Sequence, residues 1–326
     1  MNKKPLIKIE NLSVEFALGR KLLGKPPVLK AVNDVSMDIM QGQFYGLVGE
    51  SGSGKTTLGR AILKASPISS GKILFDDGEV SYNLGKISQI ELKNFRKLAQ
   101  LIFQDPYAAL SPRMTVRDII AEPLEVMGLT ENREETDTRV REIAAKCRLN
   151  LEHLRRFPHA FSGGQRQRIS IARTLVCNPN FVIADESVAA LDVSIQADIL
   201  NLLKSLQNQL GLTFLFISHD LSVVAHICDH VAVMYLGTLV ETAPTRKLFT
   251  NPSHPYTKAL LSSIPSLDPD DTKKAQKLKG EIPSPINPPS GCKFHTRCPL
   301  AEDLCRKEVP QWKKISKDHL TACHLF

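Results

Sequence analysis

The sequence predicts an α/β fold in which parallel strands carry polar side chains at their carboxyl ends. An apolar run, Phe44–Val48, passes through a glycine-rich loop into a helix-like segment, Leu58–Lys64. A second apolar run, 181–185, leads into adjacent carboxylates, and a third, 212–218, precedes His219. Continuous short apolar runs are typical of strands buried in a parallel sheet, and open α/β sheets bind ligands beyond the carboxyl ends of their strands.

The bulk properties are those of a globular protein of 326 residues with 42% hydrophobic and 23% charged residues. This length allows one large and one small domain. No run approaches the roughly 18 to 20 apolar residues that span a bilayer, and the first residues lack a secretory pattern. We therefore expect a cytoplasmic location. The net charge of +8 would suit nucleic acid or anionic lipid, but no stretch clusters five or more basic residues, so a solvated basic surface is the simpler interpretation.

Two segments near the N-terminus, Leu6–Phe16 and Val28–Met40, alternate apolar and polar residues with period two. This pattern predicts an antiparallel hairpin or β-subdomain. Short strands are also expected at 71–75 and 79–82, around a turn. Phe16 lies at a strand end, where its ring could stack on a purine, although an ordinary apolar strand residue fits the pattern equally well.

The loop after the Phe44–Val48 run matches G-x-x-x-x-G-K-S/T, the pattern of a phosphate-binding loop. Its glycines let backbone N–H groups surround phosphate oxygens, and the following helix adds its dipole. Lys55 is expected to meet the β- and γ-phosphates of a nucleotide, and the Thr56 hydroxyl to hold Mg²⁺. The predicted nucleotide-binding residues here are Gly49, Glu50, Ser51, Gly52, Ser53, Gly54, Lys55, Thr56 and Thr57.

A second glycine-bearing helix start follows an insertion, residues 115–150, whose composition predicts two or three helices. Before the insertion, Gln104 ends an apolar strand, where a ligand contact and a surface position are equally plausible. After it, a helix is predicted over Gln165–Val176. The free N–H groups and dipole at its start would attract an anion, and two such sites indicate one phosphate chain held from both ends. The residues of this second site are Ser162, Gly163, Gly164 and Gln165.

Acidic residues and a histidine follow the next two apolar strands. Asp185 is expected to reach Mg²⁺ through water, and Glu186 to polarise an attacking water. An acidic pair in a helix cap is the alternative. His219 lies at the same predicted sheet edge as Lys55 and Glu186, so a γ-phosphate contact is favoured over a structural role.

Together these motifs, in this order, resemble the ATP-binding subunits of ABC transporters. The resemblance implies a P-loop NTPase cassette over residues 1–250 that hydrolyses ATP. Its expected parts are a RecA-like parallel sheet core, an antiparallel β-subdomain and an inserted helical subdomain at about 106–165. It also implies a head-to-tail dimer in which the phosphate loop of one subunit and the signature sequence of the other, Ser162–Gln165 here, enclose ATP.

The resemblance further assigns a role to each motif residue. Glu186 would be the general base and His219 the γ-phosphate sensor, while Gln104 would link Mg²⁺ to the membrane subunits. Phe16 would stack on adenine, and Asp192 would belong to the D-loop. Three positions depart from the commonest family pattern without removing a catalytic group: Phe161, Ser187 and Ala189.

The C-terminal part, residues 251–326, resembles the extension of dipeptide and oligopeptide importer ATPases, a group that includes nickel importers. The resemblance rests on Asn251–Leu261, Gly280–Pro285 and the cysteine segment. It implies an enzyme on the cytoplasmic face of the membrane with two permease subunits, a second related ATPase subunit and, indirectly, an extracytoplasmic binding protein.

A nickel or metal-chelate importer is the alternative within transport. A soluble ABC ATPase acting on DNA or ribosomes is disfavoured, since this chain has one cassette and no heptad array, so no nucleic-acid partner is expected. A module that binds ATP without cleaving it is disfavoured by Lys55, Glu186 and His219.

Four of the seven cysteines crowd this segment with the spacing C-x5-C-x6-C-x17-C. They are Cys292, Cys298, Cys305 and Cys323. Structural zinc sites normally pair cysteines two to four residues apart, so a four-iron four-sulfur (4Fe–4S) cluster held by four thiolates fits this spacing better. The alternatives are zinc with His295, His319 or His324 as a ligand, and free thiols. We expect a structural role, because ATP hydrolysis needs no redox step.

Overall fold

Two β-sheets and the helices around them form the fold. The computed structural model describes residues 4–19, 26–264 and 280–326. The strands are β1 Pro5–Ala17, β2 Val28–Met40, β3 Phe44–Val48, β4 Ser70–Asp76, β5 Ser81–Asn83, β6 Ala99–Ile102, β7 Phe181–Asp185, β8 Thr213–Ser218, β9 His230–Tyr235, β10 Thr238–Pro244, β11 Trp312–Ser316 and β12 His319–Ala322. The helices are α1 Lys55–Ile62, α2 Gln89–Leu98, α3 Pro106–Ala109, α4 Val116–Met127, α5 Arg133–Lys146, α6 Gly163–Leu175, α7 Val193–Leu210, α8 Leu221–Ile227, α9 Thr245–Thr250, α10 Pro255–Ser262 and α11 Asp303–Lys307.

The larger sheet has the strand order β11-β12-β10-β9-β3-β8-β7-β6. Strands β9, β3, β8, β7 and β6 run parallel, which confirms the predicted parallel core. Alternate residues of β8 enter opposite hydrophobic cores: Phe214 and Phe216 belong to one, and Leu215 and Ile217 to the other. Both faces of this strand are therefore covered, which explains its continuous apolar run.

The smaller sheet has the order β2-β1-β4-β5, and each of its neighbouring pairs is antiparallel. The predicted β-subdomain is confirmed. Phe16 pairs with Leu29 across β1 and β2. The period-two pattern of these strands arises because one face packs on the core and the other meets solvent.

Helices occupy most of the insertion predicted at about 106–165. Helix α4 begins after Thr115, whose hydroxyl accepts a hydrogen bond from the N–H of Asp118, and α5 begins after Asn132, which caps Glu135 in the same way. Such caps satisfy N–H groups that lack a partner at a helix start. Helix α4 packs against α6, so the insertion contacts the helix that begins within the signature sequence.

The C-terminal extension completes the larger sheet, and its residues 265–279 lie outside the described ranges. Thr321 of β12 pairs with Glu241 of β10, and β11 continues the sheet beyond it. Phe294 is 1% exposed and joins the core of the cassette. The predicted boundary at residue 250 therefore crosses a shared sheet and core. The proline-rich composition of residues 282–289 predicts a semi-rigid linker with little regular structure, and these residues contain neither helix nor strand. Within the described ranges, no helix combines the length and apolar character needed to cross a membrane.

Candidate functional site

The phosphate loop connects β3 to α1 and folds around the side chain of Lys55. Lys55 is 4% exposed, and its Nζ donates hydrogen bonds to the carbonyl oxygens of Gly49 and Glu50 at 2.8 and 2.9 Å and to Ser53 Oγ at 3.3 Å. Burial lowers the pKa of Lys55, while the carboxylate of Glu186 opposes that shift. A buried cation at a helix N-terminus favours a bound anion, as expected for a phosphate site.

Two glycines of this loop have no room for a side chain. A Cβ at Gly49 would lie 2.1 Å from the carbonyl oxygen of Met234, and one at Gly54 would lie 2.2 Å from that of Ala31. Gly54 also has φ +104°, in the region that favours glycine. The close approach of neighbouring backbone therefore requires glycine at both positions.

Thr56 and Asp185 form the oxygen-rich part of the site. Thr56 Oγ1 donates a hydrogen bond to Asp185 Oδ1 at 3.0 Å. Burial raises the pKa of Asp185, and the bond from Thr56 opposes this rise. Hydroxyl and carboxylate oxygens are ligands that Mg²⁺ accepts in phosphate sites, so these residues fit the predicted role.

Glu186 contacts side chains that follow the two strands on either side of its own strand. Its Oε2 accepts a hydrogen bond from Gln104 Nε2 at 2.9 Å, and its Oε1 lies 3.3 Å from His219 Nδ1. Its backbone has φ +47°, and its N–H donates to the carbonyl of Ile217. Gln104, Glu186 and His219 follow β6, β7 and β8, so the parallel sheet brings the three predicted residues together.

One cleft joins the phosphate loop to Gln104 and Glu186. Its lining includes five residues that the sequence motifs did not indicate: Leu29, Lys30, Ala31, Gly237 and Pro285. None belongs to a nucleotide-binding motif, because each reaches the cleft through long-range packing. Phe16 is half-buried beside the cleft-lining Leu29, its strand partner, and its predicted contact with adenine stays a prediction.

The signature residues begin α6 through a capping box. Ser162 Oγ accepts from the N–H of Gln165 at 3.4 Å, and Gln165 Oε1 accepts from the N–H of Ser162 at 3.1 Å. Among the described residues that line the cleft, none is a signature residue. In a single chain this cleft therefore contains only the first of the two predicted anion-binding helix starts, and their joint hold on one phosphate chain stays a prediction. Asp192 is exposed at the start of α7, also outside the cleft lining.

The four C-terminal cysteines lie within electrostatic reach of one another. Burial is the main cause that raises the pKa of Cys292 to about 11, and the nearby Cys305, Cys323 and Cys298 contribute to the rise. The backbone N–H two residues later in the chain lowers the pKa of Cys292, Cys298 and Cys323, which opposes the effect of burial. Among the described residues, no group of three or more His, Cys, Asp or Glu side chains is arranged to hold a metal ion. The structure therefore brings the thiols into one region without defining a metal site.

Comparison with known proteins identifies the family. A family model described as ABC transporter matches residues 32–189, and one described as oligopeptide/dipeptide transporter, C-terminal region, matches 240–305. A putative peptide import ATP-binding protein of Brucella ovis is 48% identical over 323 residues, which are 99% of this chain and 98% of the relative. The oligopeptide transport ATP-binding protein AppF of Bacillus subtilis is 46% identical, with 100% of this chain and 98% of AppF covered. The chain belongs to the ATP-binding subunits of ABC transporters, in the oligopeptide/dipeptide branch.

Solved structures of ABC cassettes share this fold. A dimeric ATP-binding cassette in a post-hydrolysis state with ADP and Pi matches with a TM-score of 0.64 at 26% identity, covering 74% of this chain and 99% of the cassette. CbiO1 from Clostridium perfringens, part of an ABC transporter complex, matches with a TM-score of 0.63 at 26% identity, covering 76% and 91%. The predicted cassette fold is thereby confirmed. ABC cassettes hydrolyse ATP to power transport, so this family member is an ATPase.

Proposed function

We propose that this ABC subunit hydrolyses ATP to drive uptake of dipeptides or oligopeptides across the cytoplasmic membrane. The observation that carries the proposal is the C-terminal match to the oligopeptide/dipeptide transporter region, in a chain whose relatives at 46–48% identity have peptide-transport names. The site supports it, because Glu186 is held by Gln104 and His219 beside the phosphate loop.

In this proposal Lys55 and the loop N–H groups bind the phosphates, while Thr56 and Asp185 hold Mg²⁺. Glu186 accepts a proton from the attacking water, and electrostatic stabilisation of phosphoryl transfer supplies most of the catalysis. The signature residues Ser162–Gln165 would complete the site of a second, related ATPase subunit. Their position outside their own cleft supports this arrangement.

The permease subunits would dock beside the loop that carries Gln104. A groove there is lined by Phe103, Pro123, Val126 and Met127 from the loop and α4, and Phe103 and Val126 are 47% and 70% exposed. Large apolar side chains clustered on a surface are typical of protein contacts. The subunit would then be peripheral on the cytoplasmic face, with the binding protein acting through the permeases.

The cargo is tested by transport into vesicles that hold the complete complex. Radiolabelled dipeptides, oligopeptides and nickel are supplied with the cognate binding protein, and the Glu186→Gln complex is the matched control. We expect ATP-dependent peptide uptake that the control lacks. Uptake of nickel without peptide would contradict the peptide proposal while leaving the ATPase assignment intact.

We also propose that the four C-terminal cysteines hold a 4Fe–4S cluster with a structural role. The proposal is supported by four thiols that share one region and by backbone N–H groups that lower the pKa of three of them, which favours the thiolate form that such clusters require. The four sulfurs of such a cluster bind different irons, so they lie farther apart than the ligands of a single ion.

Metal analysis of anaerobically purified protein tests this assignment. We expect about four irons and four sulfides per chain, the content of this cluster type. Cys298→Ser should lower that content, whereas Cys177→Ser, at a buried cysteine outside the group, should not. One zinc per chain and no iron would contradict the cluster.

A further inference from the structure

Arg297 of the C-terminal extension forms a two-pronged ion pair with Glu50 of the phosphate loop. Arg297 Nη1 donates to Glu50 Oε2 at 2.6 Å, and Nη2 donates to Oε1 at 3.0 Å, across 247 positions of sequence. The side chains are only 6% and 24% exposed. A bidentate pair between guanidinium and carboxylate fixes both the position and the orientation of the carboxylate.

The backbone of Glu50 is held as firmly as its side chain. Its N–H donates to the hydroxyl of Tyr256 at 2.9 Å, and its carbonyl oxygen accepts from Lys55 Nζ at 2.9 Å. Glu50 thus contacts the extension through Tyr256 and Arg297 and the phosphate-binding lysine directly. Any displacement of Glu50 moves a hydrogen-bond acceptor of Lys55.

The part of the extension that carries Arg297 is anchored in the core of the cassette. Phe294 packs against Tyr235 and Tyr256 with ring centroids 5.3 Å apart in each case. Lys293 Nζ donates to the carbonyl of Leu236 at 2.8 Å, next to a glycine that lines the cleft. The segment between Cys292 and Cys298 therefore contacts the phosphate loop at Glu50 and, at Leu236, the neighbour of the cleft-lining Gly237.

Charge explains why the ion pair matters for nucleotide binding. Glu50 places a carboxylate in a loop that binds a polyanion, and an unpaired carboxylate there would repel the phosphates. The guanidinium of Arg297 is always charged, so the ion pair neutralises this carboxylate. We propose that Arg297 is a positioning residue for ATP: it neutralises and orients Glu50, so that the C-terminal extension sets the nucleotide affinity of the phosphate loop. This inference rests on ATP binding by the family and is independent of the cargo and of the group at the cysteines.

The test compares MgATP affinity and ATPase kinetics of full-length variants. Arg297→Ala should raise the Kd and KM for MgATP about tenfold or more, because truncating one member of a shielded ion pair leaves the other charge unpaired. The kcat at saturating ATP should change less than about twofold, since Arg297 does not contact Glu186. Arg306→Ala is the matched control, because it removes an exposed arginine from the same extension. Arg297→Lys, which keeps the positive charge but cannot form the two parallel hydrogen bonds to Glu50, should give an intermediate Kd.

A second substitution, at Glu50, distinguishes a positioning role of Arg297 from a general contribution of Arg297 to stability. Glu50→Gln in the Arg297→Ala background removes the unpaired carboxylate, so most of the lost affinity should return. An Arg297→Ala protein that is folded and binds MgATP as tightly as Arg306→Ala would overturn the proposal. Failure of Glu50→Gln to restore affinity would also overturn it. If Arg297→Ala does not fold, the MgATP affinity of the Arg297→Lys protein is the test. A wild-type Kd for that variant would exclude the two-pronged ion pair as a determinant of MgATP affinity.

Discussion

Nδ1 of His219 lies 3.3 Å from one carboxylate oxygen of Glu186, and Gln104 donates a hydrogen bond to the other oxygen at 2.9 Å. The carboxylate is therefore held from both sides by residues that follow neighbouring strands. Its side chain is 19% exposed, so water can reach it. This placement beside the phosphate loop supports the general-base role that we propose for Glu186.

Glu186→Gln should separate nucleotide binding from hydrolysis. We expect MgATP binding close to that of the wild type and a fall in turnover of about 100-fold or more, because the variant keeps the phosphate loop but loses the proton acceptor. Single-turnover hydrolysis and equilibrium binding measure the two effects separately. Glu79→Gln, at an exposed residue of the β-subdomain, is the control. Turnover at the wild-type rate would remove Glu186 from the mechanism.

Lys55→Ala should affect the binding step instead. The variant loses a buried cation and three hydrogen bonds that shape the phosphate loop. We expect MgATP affinity to fall about 100-fold, since charge-assisted contacts of this kind are worth about 1.5–3 kcal/mol each. Calorimetric titration measures the affinity, and Lys86→Ala, at an exposed lysine, serves as the control. Unchanged affinity would contradict the predicted phosphate contact.

The two signature glycines should respond differently to alanine. A Cβ at Gly164 would lie 2.5 Å from Ile195 Cγ2, whereas the nearest atom to a Cβ at Gly163 is 3.7 Å away. Gly164→Ala should lose about 1–3 kcal/mol of stability through overpacking against α7. Gly163→Ala should keep its stability but lose ATPase activity in the assembled complex, if the signature contacts nucleotide on the partner subunit. Equal melting temperatures for the two variants would contradict the packing argument.

His254 should make stability depend on pH. Burial, together with the nearby charge of Lys258, lowers the pKa of His254 to about 3 from an ordinary value of 6.5. Between these values the unfolded chain binds a proton that the folded chain excludes, so stability falls as the pH falls below about 6.5. His254→Asn removes this titration and can still cap α10, where His254 Nδ1 accepts from the N–H of Tyr256.

Denaturant unfolding at pH 7 and pH 5 measures this effect. The wild type should lose about 2 kcal/mol more than His254→Asn between the two pH values, because one proton is linked to unfolding over most of that interval. His226→Asn, at an exposed histidine, should follow the wild type. Identical pH dependence in the wild type and His254→Asn would contradict the prediction.

The sequence alone determined the cassette core and most of its motifs. The phosphate loop is contiguous, so its glycines, Lys55 and Thr56 carry their chemistry in local order. Strands such as β7 and β8 were predictable because burial on both faces requires an uninterrupted apolar run. Their polar ends were predictable as a site because parallel strands end at a common edge of the sheet.

Only the tertiary structure decided which distant residues meet. Glu50 and Arg297 are 247 positions apart, and neither alternation nor motif spacing marks them as partners. The extension was expected to depend on its cysteines, yet Phe294 enters the shared core and β12 joins the main sheet. Local patterns report which face of a segment is buried, but the identity of the covering surface depends on long-range packing. For this reason the control of the phosphate loop by the extension emerged only from the folded chain.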